Sequence, residues 1–278
     1  MSHQPADPFF LNARPGKRFC LYHPPAKQPS QGDAILYIHP FAEEMNKSRR
    51  MAALQSRAFA SAGLGVLQID LYGCGDSEGD FADANWEIWK KDIACARQWL
   101  IKQGFVSIHL WSLRLGALLA LDYARDAAQE FSQFILWQPV LDGQSFITRF
   151  LRLQLANELV TDDGGTANVK QLREKLHAGH ALEIAGYTLS PALATMIDDL
   201  KIKHLAINDH AIHWFEIVPH AGCEQTPAGK AVITAWQRAG GDITVTLLPG
   251  SPFWATQEIS ECPELIAKTT RIFSGSES

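Results

Sequence analysis

The chain has 278 residues, 46% of them hydrophobic and 20% charged, which is enough for one large domain with its own core. Its net charge of −5 argues against nucleic acid or an anionic membrane surface as the main partner. No apolar run approaches the ~18 residues of a membrane span. Cys20, Cys74, Cys95, Cys223 and Cys262 are dispersed, with no C-x-x-C pair. That pattern suits a reducing compartment. The start, MSHQPADPFFLNARPGKR, lacks the apolar segment of a signal peptide, so the expected location is the cytoplasm.

In chain order, a polar opening precedes a first strand at Arg18–His23 and the loop HPPAKQPSQGD. Ala34–His39 is a continuous apolar run ending at Pro40, as expected of a central strand buried on both faces. A helix follows from about Ser48 to Ala62, and Gly63 stops it. Val66–Asp70 is the next strand and runs into the glycine-spaced turn DLYGCGDSEG, where Asp76 and Ser77 are expected to bond their own backbone. Asn85–Gln103 is an amphipathic helix with Trp86, Trp89, Ile93, Ala96 and Leu100 on its core side.

Next comes SIHLWSLRLGALLALD, Ser107–Asp122: a buried strand over Val106–Trp111, a tight turn, and a helix beginning near Leu115. Phe134–Trp137 is a further strand. From Gln144 to about Lys203 the strand pattern lapses, and two or three helical stretches surround a DDGGT turn. This segment is expected to be a helical cap inserted in the domain. The alternation resumes with strands at Ile212–Val218 and Ile243–Leu248, separated by the helix Ala228–Ala239. A last helix lies near Glu264–Phe273, and the tail SGSES is expected to be disordered. Strands alternating with helices imply a mostly parallel sheet of about eight strands with helices on both faces.

The strand-turn-helix at Ser107–Asp122 resembles the nucleophile elbow of α/β-hydrolases, small-x-nucleophile-x-small. Ser112 and Gly116 take the small positions, which leaves Arg114 in the nucleophile slot. Making Ser112 the nucleophile would instead put Leu110 and Arg114 where only small residues fit. Further, HPFAEEMNKSRRM (His39–Met51), LWSLRLGALLALD and LPGSPFW (Leu248–Trp254) resemble the exosortase A system-associated hydrolase of type 2. That bacterial family is encoded with exopolysaccharide and protein-sorting genes. The resemblance implies an α/β-hydrolase fold with a cap and, by family, action on an ester, thioester, or acyl or sugar intermediate.

The triad implied by that resemblance is incomplete. The acid region after Val218 offers Glu224, with His220 and Cys223 beside it, and no histidine follows His220. A guanidinium stays protonated and cannot be the nucleophile. The candidate catalytic set is therefore Arg114, Glu43, Glu44, His39 and Glu224, and the candidate substrate-binding set is Phe41, Trp111, Leu115, Asp142 and Trp254. Arg114 is expected to pair with Glu43 or Glu44, with Asp142 and Glu224 as alternatives, or to receive an anion at a helix N-terminus. Against a general-base role, His39 ends a buried strand and suits a hydrogen-bonded structural place. The pairs His210/His213 and His177/His180 are spaced for one helical face but lack an acidic or cysteine ligand, so no metal and no cofactor is expected. Cys223 beside His220 is a candidate unconventional nucleophile. The alternatives to an enzyme are a catalytically inactive fold that binds an anionic small molecule, and a scaffold for an export-system protein.

Overall fold

The computed structural model describes residues 5–26, 32–160 and 168–274. The DDGGT turn, part of the HPPAKQPSQGD loop and most of the SGSES tail lie outside them.

Eight strands form one twisted sheet: β1 (Asp7–Asn12), β2 (Lys17–His23), β3 (Asp33–Ile38), β4 (Gly65–Ile69), β5 (Ser107–Leu113), β6 (Gln133–Trp137), β9 (Ala211–Val218) and β10 (Asp242–Pro249). Their order is β1-β2-β4-β3-β5-β6-β9-β10. The six strands from β4 to β10 run parallel, and β2 and β1 are added antiparallel at one edge.

The central strands read as unbroken apolar runs because both faces are covered. Along β3, Ala34, Leu36 and Ile38 enter one core cluster, while Ile35 and Tyr37 enter the other. The first cluster packs beneath α2 (Trp86–Lys102), α3 (Leu115–Ala127) and α7 (Pro227–Arg238); the second packs beneath α1 (Glu43–Ser61) and α8 (Pro263–Arg271).

Between β6 and β9 the chain forms α4 (Gly143–Val160), α5 (Val169–His177), a hairpin of β7 (Leu182–Ile184) and β8 (Tyr187–Leu189), and α6 (Pro191–Asp198). This corrects the all-helical expectation. The hairpin stands outside the main sheet, and its strands are too short for period-two patterning to register. Its turn, Ala185-Gly186, has φ of 52° and 82°, as a two-residue hairpin loop requires. The opening of the chain also differs from expectation, since DPFFLN forms edge strand β1 rather than a polar lead-in. Arg18, fully buried, ties this edge to α2 through a 2.7 Å ion pair with Asp92 and lies 4.7 Å from the Tyr72 ring centroid. The first long helix begins five residues earlier than its periodicity indicates, at Glu43 rather than Ser48, which brings Glu43 and Glu44 into its first turn.

Candidate functional site

The site lies at the C-terminal ends of β3, β5 and β6, where three non-glycine residues adopt positive φ: Ala42 (49°), Arg114 (56°) and Gln138 (43°). Such backbone costs ~1–3 kcal/mol per residue and persists only where surrounding contacts impose it. Arg114 sits between β5 and α3 with φ 56° and ψ −120°, a sharp strand-to-helix turn. Its amide donates to Trp137 O at 3.0 Å, and its carbonyl accepts from Val140 at 3.3 Å. Gly116 is small because strand and helix touch here: a Cβ would fall 2.5 Å from His39 O and 2.7 Å from Ile38 O. Ala42, between β3 and α1, has nearly the same geometry (φ 49°, ψ −126°). Two sharp turns thus stand side by side and direct Arg114 and Glu44 at each other.

Arg114 donates to Glu44 Oε1 from both Nε and Nη2, each at 3.2 Å, and from Nη1 to Gln138 O at 3.4 Å. The guanidinium carbon lies 5.2 Å from the Trp254 ring centroid, a cation–π contact that closes one face. Arg114 and Glu44 are 7% and 9% exposed, so their charges neutralise each other out of contact with bulk water. Burial pushes the Glu44 carboxyl above the usual range, opposed first by Arg114 and more weakly by Arg149 and Lys47. Glu43, half-buried, is raised for the same reason, with Glu44 adding repulsion. The Oε2 atoms of both glutamates are shielded from solvent and have no hydrogen-bond partner among the described residues.

Two cavities flank this ion pair. The smaller, ≈ 130 Å³, is lined by Glu43, Glu44 and Lys47 from α1, by the Phe146 face of α4, and by Trp254. The larger, ≈ 350 Å³, is bounded by Arg114, Gln138, Asp142, Phe146, Arg149 and Thr226, among others. Phe146 and Arg149 line both. Asp142 accepts from the Ser145 amide at 2.7 Å, which fixes the start of α4, and its Oδ2 lies 4.0 Å from Lys201 Nζ.

The structure thus brings Arg114, Glu43, Glu44, Asp142 and Trp254 to one place. The other candidates lie elsewhere. Trp111 is fully buried within the core beneath α1, below the site, packed on Tyr37 (4.1 Å between centroids) and Trp137 (4.8 Å). His39 has both ring nitrogens engaged by backbone: Nε2 accepts from the Leu71 amide at 3.1 Å, so Nδ1 carries the hydrogen donated to Pro40 O at 2.7 Å. Burial lowers its pKa, and no lone pair is left for a substrate proton. Phe41 and Leu115 are 3% and 2% exposed and line a small apolar void of ≈ 10 Å³ with Trp86 and Trp89. Phe41 joins the core to α4 through the rings of Phe146 and Phe150, at 5.6 and 5.1 Å.

Glu224 is exposed after β9 and makes no ion pair among the described residues. The buried acid nearby is Glu216, which accepts from Trp214 Nε1 at 2.8 Å and Gln225 Nε2 at 2.9 Å. His210/His213 straddle the start of β9 and His177/His180 the end of α5, so neither pair lies on a helical face. Cys223 Sγ approaches the His220 ring nitrogens at 3.4 Å in an exposed loop. Ser112 is fully buried inside β5, and Ser77 donates to Asp70 O at 2.5 Å and accepts from the Phe19 amide at 2.8 Å. Sequence reading missed Arg149. Spacing puts it on one helical face with Phe146, Phe150 and Leu153, which by itself reads as an amphipathic helix and not as a site.

Scans of family models and of curated proteins find no match. Among solved structures the chain is similar to Est1E from Butyrivibrio proteoclasticus, determined with ferulic acid: 16% identity, TM-score 0.66, covering 96% of this chain and 97% of that one. It is also similar to a highly thermostable carboxyl esterase from Bacillus coagulans (15%, TM-score 0.65, 98% and 97% covered). A monoglyceride lipase from Saccharomyces cerevisiae aligns at 12% identity and TM-score 0.63, with 97% and 95% covered. At these identities the likeness establishes the fold, and the chain has the α/β-hydrolase fold.

Proposed function

We propose that this α/β-hydrolase-fold chain does not perform serine acyl transfer and instead binds an anionic small molecule beside its elbow. The observation that carries this reading is Arg114 itself: the elbow backbone presents a guanidinium, held on Glu44 and covered by Trp254. A serine triad needs a proton-accepting histidine on the loop after the last strand. That loop contributes Trp254, and no histidine follows His220.

The charge around the cavities supports an anion. With Asp142 offset by Lys201 at 4.0 Å, Arg114, Arg149 and Lys47 stand against Glu43 and Glu44, three cations to two carboxylates, which leaves one positive charge in the cleft uncompensated. A carboxylate or phosphate would balance it. The segments that resemble the exosortase-associated hydrolase support placing the chain in the cytoplasm beside an export system, where acyl or sugar intermediates are the molecules at hand. No helix among the described residues is long and apolar enough to cross a membrane.

Thermal-shift measurement tests this reading. Carboxylates or phosphates should raise the melting temperature saturably while neutral analogues do not, since only a ligand of the native state stabilises it. A flat response to every anion would refute it. A second reading, hydrolysis of an ester or thioester as the esterase and lipase neighbours do, draws on the Cys223–His220 contact. It requires p-nitrophenyl ester hydrolysis that disappears in Cys223→Ala.

A further inference from the structure

We propose that the site takes an anion carried on a compact apolar body, a short acyl or aryl carboxylate or phosphate, and that Arg149 on α4, not Arg114, receives its charge. This rests on the anion-binding reading above and names its ligand class and the residue that meets it.

Arg114 has little left to offer a ligand. Two of its nitrogens are committed to Glu44 and a third to Gln138 O, and Trp254 covers a face. Arg149 is its opposite. It is exposed, makes no ion pair among the described residues, lines both cavities, and acts on Glu44 only through space. Lys47, half-buried, is a second cation at the rim of the smaller cavity. The wall below those two charges is apolar, built from Phe146, Phe150, Leu153 and Trp254. Along Phe146, Phe150, Leu153 and Trp254 the hydroxyls of a polyol would be stranded against rings and methyls, and the Oε2 atoms of Glu43 and Glu44 are shielded from it. A methylene chain or an aromatic ring is not penalised in this way. The size agrees: the ≈ 130 Å³ cavity is close to the about 150 Å³ known to admit benzene in an apolar protein interior. Because Arg149 and Phe146 line both cavities, the charged end belongs where the two meet.

Calorimetric titration at low ionic strength decides this with hexanoate, benzoate, acetate and 1-hexanol, and with hexyl phosphate against inorganic phosphate to separate the two acid groups. Hexanoate or hexyl phosphate should bind at least about tenfold more tightly than acetate or inorganic phosphate, the contribution of the buried body. Either should also bind more tightly than hexanol. Arg149→Ala, an exposed helical substitution that should leave folding intact, should weaken hexanoate about three- to fivefold, the scale of a partly screened ion pair, and leave hexanol unchanged. Arg149→Lys should recover part of the loss. If acetate binds as well as hexanoate, or if Arg149→Ala binds hexanoate like wild type, this inference falls while anion binding survives. Should no anion bind, both readings fall together.

Discussion

Arg114 occupies a position where an unpaired charge could not remain, and Glu44 is what makes it tolerable. Both side chains are nearly enclosed and share two hydrogen bonds through one carboxylate oxygen. Removing one partner of such a pair strands the other, at about 3–5 kcal/mol. Arg114→Ala should fall at the low end, because the raised Glu44 carboxyl can take up a proton. Urea denaturation should show a loss near 3 kcal/mol, with Arg114→Lys recovering most of it. An unchanged midpoint for Arg114→Ala would mean the pair contributes nothing. His109 gives a pH-dependent counterpart. It is buried against Phe273 with neither ring nitrogen partnered, and burial lowers its pKa from 6.5 to about 4. The unfolded chain therefore takes up this proton first, so stability should fall as pH drops from 6.5 towards 4 and level off below. For this group the loss is on the order of 3 kcal/mol. His109→Phe should make that part of the profile shallower, with His23, lowered to about 4 mainly by burial, keeping its own share; an identical slope in the variant would contradict the assignment.

At the scale of elements, close backbone approach fixes the site. Gly143, the first residue of α4, would place a Cβ 1.7 Å from Ile197 O, so Gly143→Ala must push α4 away from α6. That substitution should cost roughly 1–3 kcal/mol and speed proteolytic cleavage between β6 and β9, leaving the sheet protected. Equal cleavage rates would show that α4 does not depend on this contact. The elements themselves were unequally legible. The buried parallel strands and the elbow could be read because apolar runs and small residues follow directly from two-sided burial and close packing. Strand β1 could not, because an edge strand with Phe10 54% exposed carries no clean alternation. The hairpin Leu182–Leu189 escaped for want of length. At the site, Arg114 and Glu44 were legible from their places in a motif. Arg149 was not, because an arginine on an amphipathic helix reads as solvated surface until another element packs beside it. Trp111, expected at the site, is fully buried in the core beneath α1.

For the whole molecule, the mixed sheet, two-layer core and α4–α6 segment between β6 and β9 form an α/β-hydrolase fold whose elbow carries Arg114. At the elbow, Arg114 is held by Glu44, which turns inward from the start of α1, and Trp254 from the loop after the last strand covers the guanidinium. The strand ends at the elbow hold this ion pair between two cavities. Intact-mass spectrometry after incubation with an excess of a fluorophosphonate tests this most directly, since the probe modifies any serine activated by a neighbouring base. The account predicts an unmodified mass for the native protein. A stoichiometric adduct mapped to Ser112 or Ser77 would contradict it.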